Sequence, residues 1–215
     1  MQHTAHNRDT KQDILYAARV IIGRTGFASA GLNEILAAAD VPKGSFYHYF
    51  KSKDALGVEV LEEYFRSYAD LIDDIFSRPD LNGYDRLMLY WKRWMSSQRV
   101  GEKTSKCLTV KLGAEVSDMS EPMRRVLIEG TDNIISKIAG AIECAILDGS
   151  ISISEKPKKT AKMFYEMWLG ATLLFKITHN DDVLIDTYLT TQRFFDPNTI
   201  KSAEIEEPLI DAFGR

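Results

Sequence analysis

The sequence predicts an all-α protein, and three features of the 215-residue chain indicate this class. Apolar residues recur three and four positions apart along most of its length, which is the period of an amphipathic helix. Serine, proline and glycine stand at the ends of these apolar segments, where they start and stop helices. Alternation of the β type is limited to SISIS at 150–154. We interpret that stretch as a loop because it is too short for a useful strand.

Start and stop signals divide the chain into helices in a regular order. The segment TKQDILYAARVIIGRTG predicts a first helix closed by Gly26, and GLNEILAAADV predicts a short second helix. Val41-Pro42 stops the second helix and permits a tight restart. Ser52 has the side chain of an N-cap for a long helix that ends before Pro79. Five further helices are expected at 83–99, 105–116, 120–148, 157–179 and 182–195.

Charge and composition exclude several classes of protein. A net charge of −4 argues against a protein that coats nucleic acid by bulk charge. Residues 8–56 nevertheless carry seven Lys or Arg against five Asp or Glu, a net +2, which leaves −6 for the remainder. The two cysteines form neither a disulfide framework nor a zinc motif. The polar N-terminus lacks the apolar stretch typical of a signal peptide, and Lys176 interrupts the longest apolar stretch of the chain. We therefore expect a cytoplasmic protein without metal, cofactor or membrane contact.

The stretch VPKGSFYHYFKSKDAL at 41–56 combines four aromatic rings with three lysines. Three short helices with a tight turn before the third form the helix-turn-helix layout, whose third helix enters the major groove of DNA. Phe46 and Phe50 have no polar tip, so we assign them to the small core of this head. Its other expected members are Phe27, Leu32 and Ile35. The other side chains here suit base edges and phosphates. The predicted DNA contacts are Lys43, Gly44, Ser45, Tyr47, His48, Tyr49 and Lys53.

The dipeptide GF at 26–27 and the segment AAADVPKGSFYHYFKSKDAL at 37–56 resemble the TetR family of DNA-binding regulators. The resemblance implies the same seven DNA contacts and a homodimer that binds a palindromic operator in double-stranded DNA. It implies a helix-turn-helix domain at 1–56, a helical ligand-sensing and dimerisation domain at 57–195, and an acidic tail at 196–215. One departure is that Ala30 and Gly31 replace the family's usual hydroxyl pair, which leaves open whether Ser29 or Asn33 substitutes.

The predicted helix at 157–179 favours a dimer independently of the resemblance. It carries more apolar surface than one face of a helix buries within a monomer. The apolar residues are Phe164, Met167, Trp168, Ala171, Leu174 and Phe175. Gly170 would let a second helix approach closely. The alternative is that these residues pack an ordinary core.

Cys107 is the candidate sensing residue of the helical body. It stands near the expected start of a helix and among Lys103, Lys106 and Lys111. A helix N-terminus and nearby ammonium groups both stabilise a thiolate, so this cysteine is a candidate reactive thiol. The alternative is that it is a small buried hydrophobic residue. Cys144, in contrast, lies among apolar residues, and we predict that it belongs to the core.

Three segments also resemble one branch of the TetR family, the N-ethylmaleimide-responsive (NemR-like) repressors. They are CLTVKLGAEV, SDMSEPMR and WLGATLLFKI. The resemblance implies that Cys107 is modified by electrophiles or oxidants, such as quinones, aldehydes and chlorine oxidants, and that modification releases the operator of detoxification genes. Lys176 interrupts an apolar face, where desolvation favours the free amine. It is a candidate for trapping oxidised Cys107 as an S–N bond, or else it extends to solvent.

Two other functions remain open from the sequence. In the first, the same repressor binds an apolar inducer reversibly and Cys107 is incidental. A group of aromatic residues would then line the inducer pocket or form plain core; it consists of Tyr90, Trp91, Trp94, Trp168 and Phe175. In the second, the chain is a cysteine-dependent enzyme. We predict that it is not an enzyme, because the internal histidines, His48 and His179, fall in the reading helix and at a helix end.

Overall fold

The computed structural model describes residues 10–99 and 107–196, and these residues form α-helices joined by short loops. In chain order the helices are α1 (Thr10–Thr25), α2 (Leu32–Ala39), α3 (Lys43–Tyr49), α4 (Lys53–Phe76), α5 (Gly83–Arg99), α6 (Leu108–Met119), α7 (Glu121–Leu147), α8 (Pro157–Thr178) and α9 (Asp182–Phe195). Within those ranges no residue forms a strand, and SISIS is a loop. The all-α prediction is confirmed. None of these described helices is long and apolar enough to cross a membrane.

Most helix boundaries fall within a residue or two of the predicted ones, because local capping sets them. The Ser52 hydroxyl accepts a hydrogen bond from the Ala55 N–H at 3.1 Å, so Ser52 caps α4 as predicted. Gly26 follows α1 with a left-handed φ of +90°, a conformation that glycine adopts without strain. Helix α6 begins and ends three residues later than predicted. A non-helical backbone at Cys107 and an extended one at Ser120 set its two ends.

The described residues form two compact units. The first comprises those of Met1–Leu71 and Ser97–Asn133, and the second those of Ile72–Ser96 and Ile134–Arg215. The first unit therefore contains the three N-terminal helices, all of α6 and the first half of α7. Its core is aliphatic and phenylalanine-rich, and its fully buried side chains include Ile14, Ile22, Ile35, Phe46 and Leu61.

Aromatic packing fills the core of the second unit. The indole rings of Trp91 and Trp168 stack with centroids 5.1 Å apart, and both side chains are fully buried. Each buried indole N–H of Trp94 and Trp168 donates to a threonine hydroxyl; the acceptors are Thr172 at 2.9 Å and Thr191 at 3.1 Å. Such partners are what a buried indole requires. Of the aromatic group singled out in the sequence, Tyr90, Trp91, Trp94 and Trp168 are buried in this core, whereas Phe175 is half-buried.

Gly83 allows α5 to begin in direct contact with α7. A Cβ atom added to Gly83 would lie 2.3 Å from the Cα of Ala145, so the two backbones would have to separate. The Gly83 N–H donates to the carboxylate of Asp148 at 2.7 Å. Hydrogen bonds from Ser150 hold the pKa of Asp148 below its ordinary value. This close approach is therefore fixed both by steric fit and by a charge-assisted hydrogen bond.

Gly83→Ala is expected to lower the free energy of unfolding by about 2–3 kcal/mol, since inserting a methyl group into a packed site costs that much. Gly140→Ala is the matched control, because a Cβ atom there meets nothing within 4 Å. The control should be stable or slightly more stable, since alanine favours a helix interior. Urea denaturation followed by circular dichroism measures both. Equal stability of Gly83→Ala and the unaltered chain would show that α5 and α7 are not in fixed contact.

Candidate nucleic-acid interface and sensing cysteine

A tight turn sets the direction of α3 after α2. Asp40 caps α2 in the left-handed conformation, with φ of +56°, which aspartate tolerates better than most residues. The N–H groups of Asp40 and Val41 return to the carbonyls of Ala37 and Leu36, at 3.3 and 3.0 Å. Pro42 then occupies the N-cap of α3 in an extended conformation. The chain therefore stops one helix and starts the next within three residues.

Two phenylalanines anchor α3 to the head. The side chains of Phe46 and Phe50 are 0% and 1% exposed, and their rings stack with centroids 5.4 Å apart. Phe27 and Ile35 are buried in the same unit, and Leu32 is half-buried. The predicted small core is therefore present. It leaves the opposite side of α3 free to face outwards.

The predicted DNA-contacting residues of α3 lie on that outward side. Lys43, Gly44, Tyr47, His48 and Tyr49 are exposed, and Ser45 is half-buried. Tyr47 is 56% exposed, an unusual state for a tyrosine packed at 5.2 Å against a buried phenylalanine ring. A short helix that presents an ammonium group, hydroxyl groups and an imidazole beside a bare backbone at glycine is chemically suited to bases and phosphates.

Lys53, the seventh predicted DNA contact, has partners inside the head. Its ammonium group donates to the Ala28 carbonyl at 3.2 Å and lies 4.7 Å from the ring centroid of Phe27. The Lys53 side chain is half-buried. Ser29 and Asn33, the two candidate substitutes for the missing hydroxyl pair, are both exposed.

Cys107 is the N-cap residue of α6, and its thiol is free. The residue is only 8% exposed. The hydroxyl of Tyr64, on α4, points at the sulfur from 3.9 Å, a distance at which O–H donates weakly to sulfur. The guanidinium carbon of Arg19, on α1, lies 5.9 Å from the centroid of the Tyr64 ring. Sequence reasoning missed Tyr64 as a neighbour of Cys107, because it is 43 positions away and carries no motif.

The other predicted sensing and thiol residues lie in the second unit. Lys176 is half-buried in the last turn of α8. Cys144 is exposed on α7, so the prediction that it belongs to the core is wrong. The buried stripe of α7 runs through Ile138, Ala141, Ile142 and Ala145, at spacings of three and four. Cys144 falls outside that stripe although its sequence neighbours belong to it.

Apolar side chains also stand exposed on α8 and α9 in the single chain. On α8 they are Met163, Leu173, Leu174 and Ile177; on α9 they are Ile185, Leu189 and Phe194. We call these residues the α8–α9 apolar face. Leu174 is 51% and Ile177 65% exposed, and Gly170 on α8 has open space around it. Contiguous exposed apolar patches on a soluble protein mark surfaces that another molecule covers.

The described residues contain no group of three or more His, Cys, Asp or Glu side chains that could hold a metal ion. A cluster of three charged residues in the first unit carries a clear pKa shift. The guanidinium groups of Arg124 and Arg125 donate to Glu121 and lower its pKa to about 2. This carboxylate is exposed at the first turn of α7, where the helix dipole stabilises a negative charge.

A three-helix head with a polar, outward-facing third helix, followed by a longer helical body, defines a helix-turn-helix transcriptional regulator. Residues 14–60 match the profile described as "Bacterial regulatory proteins, tetR family", and residues 83–188 match the "Tetracyclin repressor-like, C-terminal domain". The chain belongs to the TetR family. The resemblance inferred from residues 26–56 is thereby confirmed.

Several characterised relatives are similar over most of their length. The transcriptional repressor NemR of Escherichia coli K12 is 36% identical over 183 residues, which span 85% of this chain and 91% of NemR. The transcriptional regulator AcuR of Cereibacter sphaeroides is 31% identical over 86% of this chain and 84% of AcuR. The crystal structure of reduced E. coli NemR superposes with a TM-score of 0.84 at 34% identity, covering 88% of this chain and 98% of that one. These relatives are regulators, which supports the prediction that the chain is not an enzyme.

Proposed function

We propose that this protein is a dimeric transcriptional repressor that leaves its operator when Cys107 is modified by an electrophile or oxidant. The observation that carries the proposal is the position of Cys107. A free, nearly buried thiol stands at the N-cap position of α6, within the same compact unit as the helix-turn-helix head. Similarity to NemR, a repressor, supports the same reading. The genes controlled would be those that remove reactive electrophiles, in the cytoplasm where the operator lies.

DNA binding is assigned to α3 and the start of α4. In a dimer the two copies of α3 would enter successive major grooves of a palindromic operator, about 34–36 Å apart. Lys43, Gly44, Ser45, Tyr47, His48 and Tyr49 supply the contacts, and Lys53 would add a phosphate contact from the end of the head. The α8–α9 apolar face is the surface that would join the two copies.

Because Cys107 is nearly buried, its modification must alter the packing around it. At 8% exposure there is little room for an added group, so an adduct would displace the side chains around it. In the reaction, the thiol loses its proton and the sulfur forms a C–S bond to the electrophilic carbon. With an enone such as a quinone, the displaced electron pair passes to the carbonyl oxygen, which then takes up a proton. The Tyr64 hydroxyl lies 3.9 Å from the sulfur, where it can donate a hydrogen bond during the attack.

Oxidants would act through a second route. Hypochlorous acid would convert the thiol to a sulfenic acid with loss of chloride and a proton, a two-electron oxidation of sulfur. The amine of Lys176 stays our candidate for capping that sulfur, with S–N bond formation and loss of water. Lys176→Ala is expected to keep the response to N-ethylmaleimide and to lose the reversible response to hypochlorous acid. An unchanged hypochlorous acid response would remove Lys176 from the mechanism.

The test is a gel-shift titration on DNA upstream of the protein's own gene. Because Cys144 is exposed and would also react, the experiment uses a Cys144→Ser parent and compares it with the Cys107→Ser, Cys144→Ser double variant. Both should bind the DNA when untreated. N-Ethylmaleimide should weaken binding by the parent at least tenfold, about 1.4 kcal/mol, and leave the double variant unaffected.

Two outcomes would contradict the proposal. If neither protein binds DNA from the promoter region of its own gene or DNA from flanking genes, the assignment as a repressor is contradicted. If both proteins bind and are released alike, Cys107 is not the trigger. A reversibly bound apolar inducer would then be the better account.

A further inference from the structure

The carboxylate of Glu115, on α6, accepts hydrogen bonds from the turn that follows α1 of the DNA-binding head. The N–H of Ala28 donates to Glu115 Oε1 at 2.7 Å, and the N–H of Phe27 donates to Glu115 Oε2 at 3.1 Å. Two consecutive amides on one carboxylate form a charge-assisted, two-point attachment. Glycine at position 26 leaves room for this carboxylate, since a Cβ atom added to Gly26 would lie 2.9 Å from Glu115 Oε2.

The same turn also contacts the first residue of α4, the helix that follows the reading helix. The Ala28 carbonyl accepts a hydrogen bond from the ammonium group of Lys53, and that group lies over the ring of Phe27. Lys53 is the first residue of α4, three residues beyond the last phenylalanine that anchors α3. Glu115, the turn and Lys53 therefore form a continuous chain of contacts from α6 to the start of α4, the helix that follows α3.

The opposite end of α6 carries the thiol and also contacts α1. Leu108, which follows Cys107, is 2% exposed, and its Cδ2 lies 3.7 Å from where a Cβ atom on Gly23 would stand. Cys107 and Glu115 are about 12 Å apart along the axis, since each helical residue rises by about 1.5 Å. The helix is thus held against the head at both ends, by packing near the thiol and by hydrogen bonds at Glu115.

We propose that Glu115 is the residue through which modification of Cys107 displaces the DNA-binding head. The inference rests on the proposed role of Cys107 and names the coupling that this role requires. A group added to a nearly buried sulfur displaces the N-terminus of α6. A twelve-residue helix moves as a rigid element, so the carboxylate moves with it. Movement of the carboxylate displaces the turn at Phe27 and Ala28. The start of α4 and the adjoining α3 move with that turn.

The test measures the ratio of operator affinities before and after labelling of Cys107 by N-ethylmaleimide. All proteins carry Cys144→Ser, and intact-mass measurement confirms one label per chain. In this parent, labelling should raise Kd at least tenfold. In Glu115→Ala the ratio should fall below about threefold, because the displaced helix no longer pulls on the turn. Asp118→Ala is the matched control, since it removes an exposed carboxylate from the same helix, and it should keep the parent's ratio.

The ratio separates coupling from a merely structural role. A residue that only stabilises the head would change both affinities by the same factor and leave the ratio intact. An unchanged ratio in Glu115→Ala, with release of the parent intact, would overturn the proposal and leave the role of Cys107 standing. If Glu115→Ala does not fold, Glu115→Gln takes its place. It keeps one acceptor oxygen and should give an intermediate ratio of operator affinities. A ratio in Glu115→Gln equal to that of the parent would also overturn the proposal. A parent that labelling does not release would refute the role of Cys107 itself.

Discussion

Tyr47→Ala is expected to weaken operator binding on the order of 100-fold while leaving the head folded. Each head would lose a hydrogen bond to a charged phosphate, worth about 1.5 kcal/mol, and the dimer has two heads. The side chain is 56% exposed, so its removal opens no large cavity in the core. Isothermal titration with operator DNA measures the loss, and thermal melting by circular dichroism checks the fold. Tyr47→Phe isolates the contribution of the hydroxyl group.

Tyr16→Ala is the matched control for this prediction. Tyr16 is 64% exposed on α1 of the same head. It lines a surface groove together with the carboxylates of Asp13 and Asp40, which would repel a phosphate. Its removal should leave operator affinity within about twofold, since exposed substitutions away from an interface have small effects. If Tyr47→Ala and Tyr16→Ala bind alike, α3 does not read the operator in the way we propose.

Replacing Leu173 and Ile177 together by glutamate is expected to separate the two subunits. The side chains lie one turn apart on the α8–α9 apolar face, and a dimer would bury four added carboxylates without partners. Light scattering after size exclusion should change from twice the chain mass to the 24.4 kDa of one chain. Operator affinity should fall more than about 100-fold, because a monomer engages one half-site and loses the contacts of the other.

Leu147→Glu controls for the introduction of charge. Leu147 is the most exposed large apolar side chain among the described residues, and it lies on α7 outside the α8–α9 apolar face. This variant should remain dimeric and bind the operator normally. A double variant that still has twice the chain mass would show that the two copies associate through another surface.

The head was predictable because short-range signals specify it. Gly26, Pro42 and Ser52 mark helix ends, and the phenylalanines at 46 and 50 fall one turn apart, so burial of one ring implies burial of the other. The exposure of Tyr47 and His48 follows from the same period. These inferences need no knowledge of distant residues, and the structure agrees with them.

The parts that sequence reasoning missed depend on long-range contacts or on the exact phase of a helix. Glu115 and Phe27 are 88 positions apart. The local sequence around a carboxylate does not indicate which backbone N–H groups will donate to it. The Ala28 carbonyl, 25 positions away, is a partner of the Lys53 ammonium group that its charge alone did not indicate. Cys144 was misplaced because apolar neighbours in sequence lie on several sides of a helix. Which side is buried depends on the packing of the whole unit.

The tryptophan cluster makes the two units optically distinct. All three tryptophans of the chain, at positions 91, 94 and 168, belong to the second unit, and all three are buried. Intrinsic tryptophan emission therefore reports unfolding of the second unit, whereas far-ultraviolet circular dichroism records helices in both. Coincident urea transitions by the two probes would show that the units unfold as one cooperative body. A dichroism change that precedes the shift in emission would show that the DNA-binding unit unfolds first, on its own.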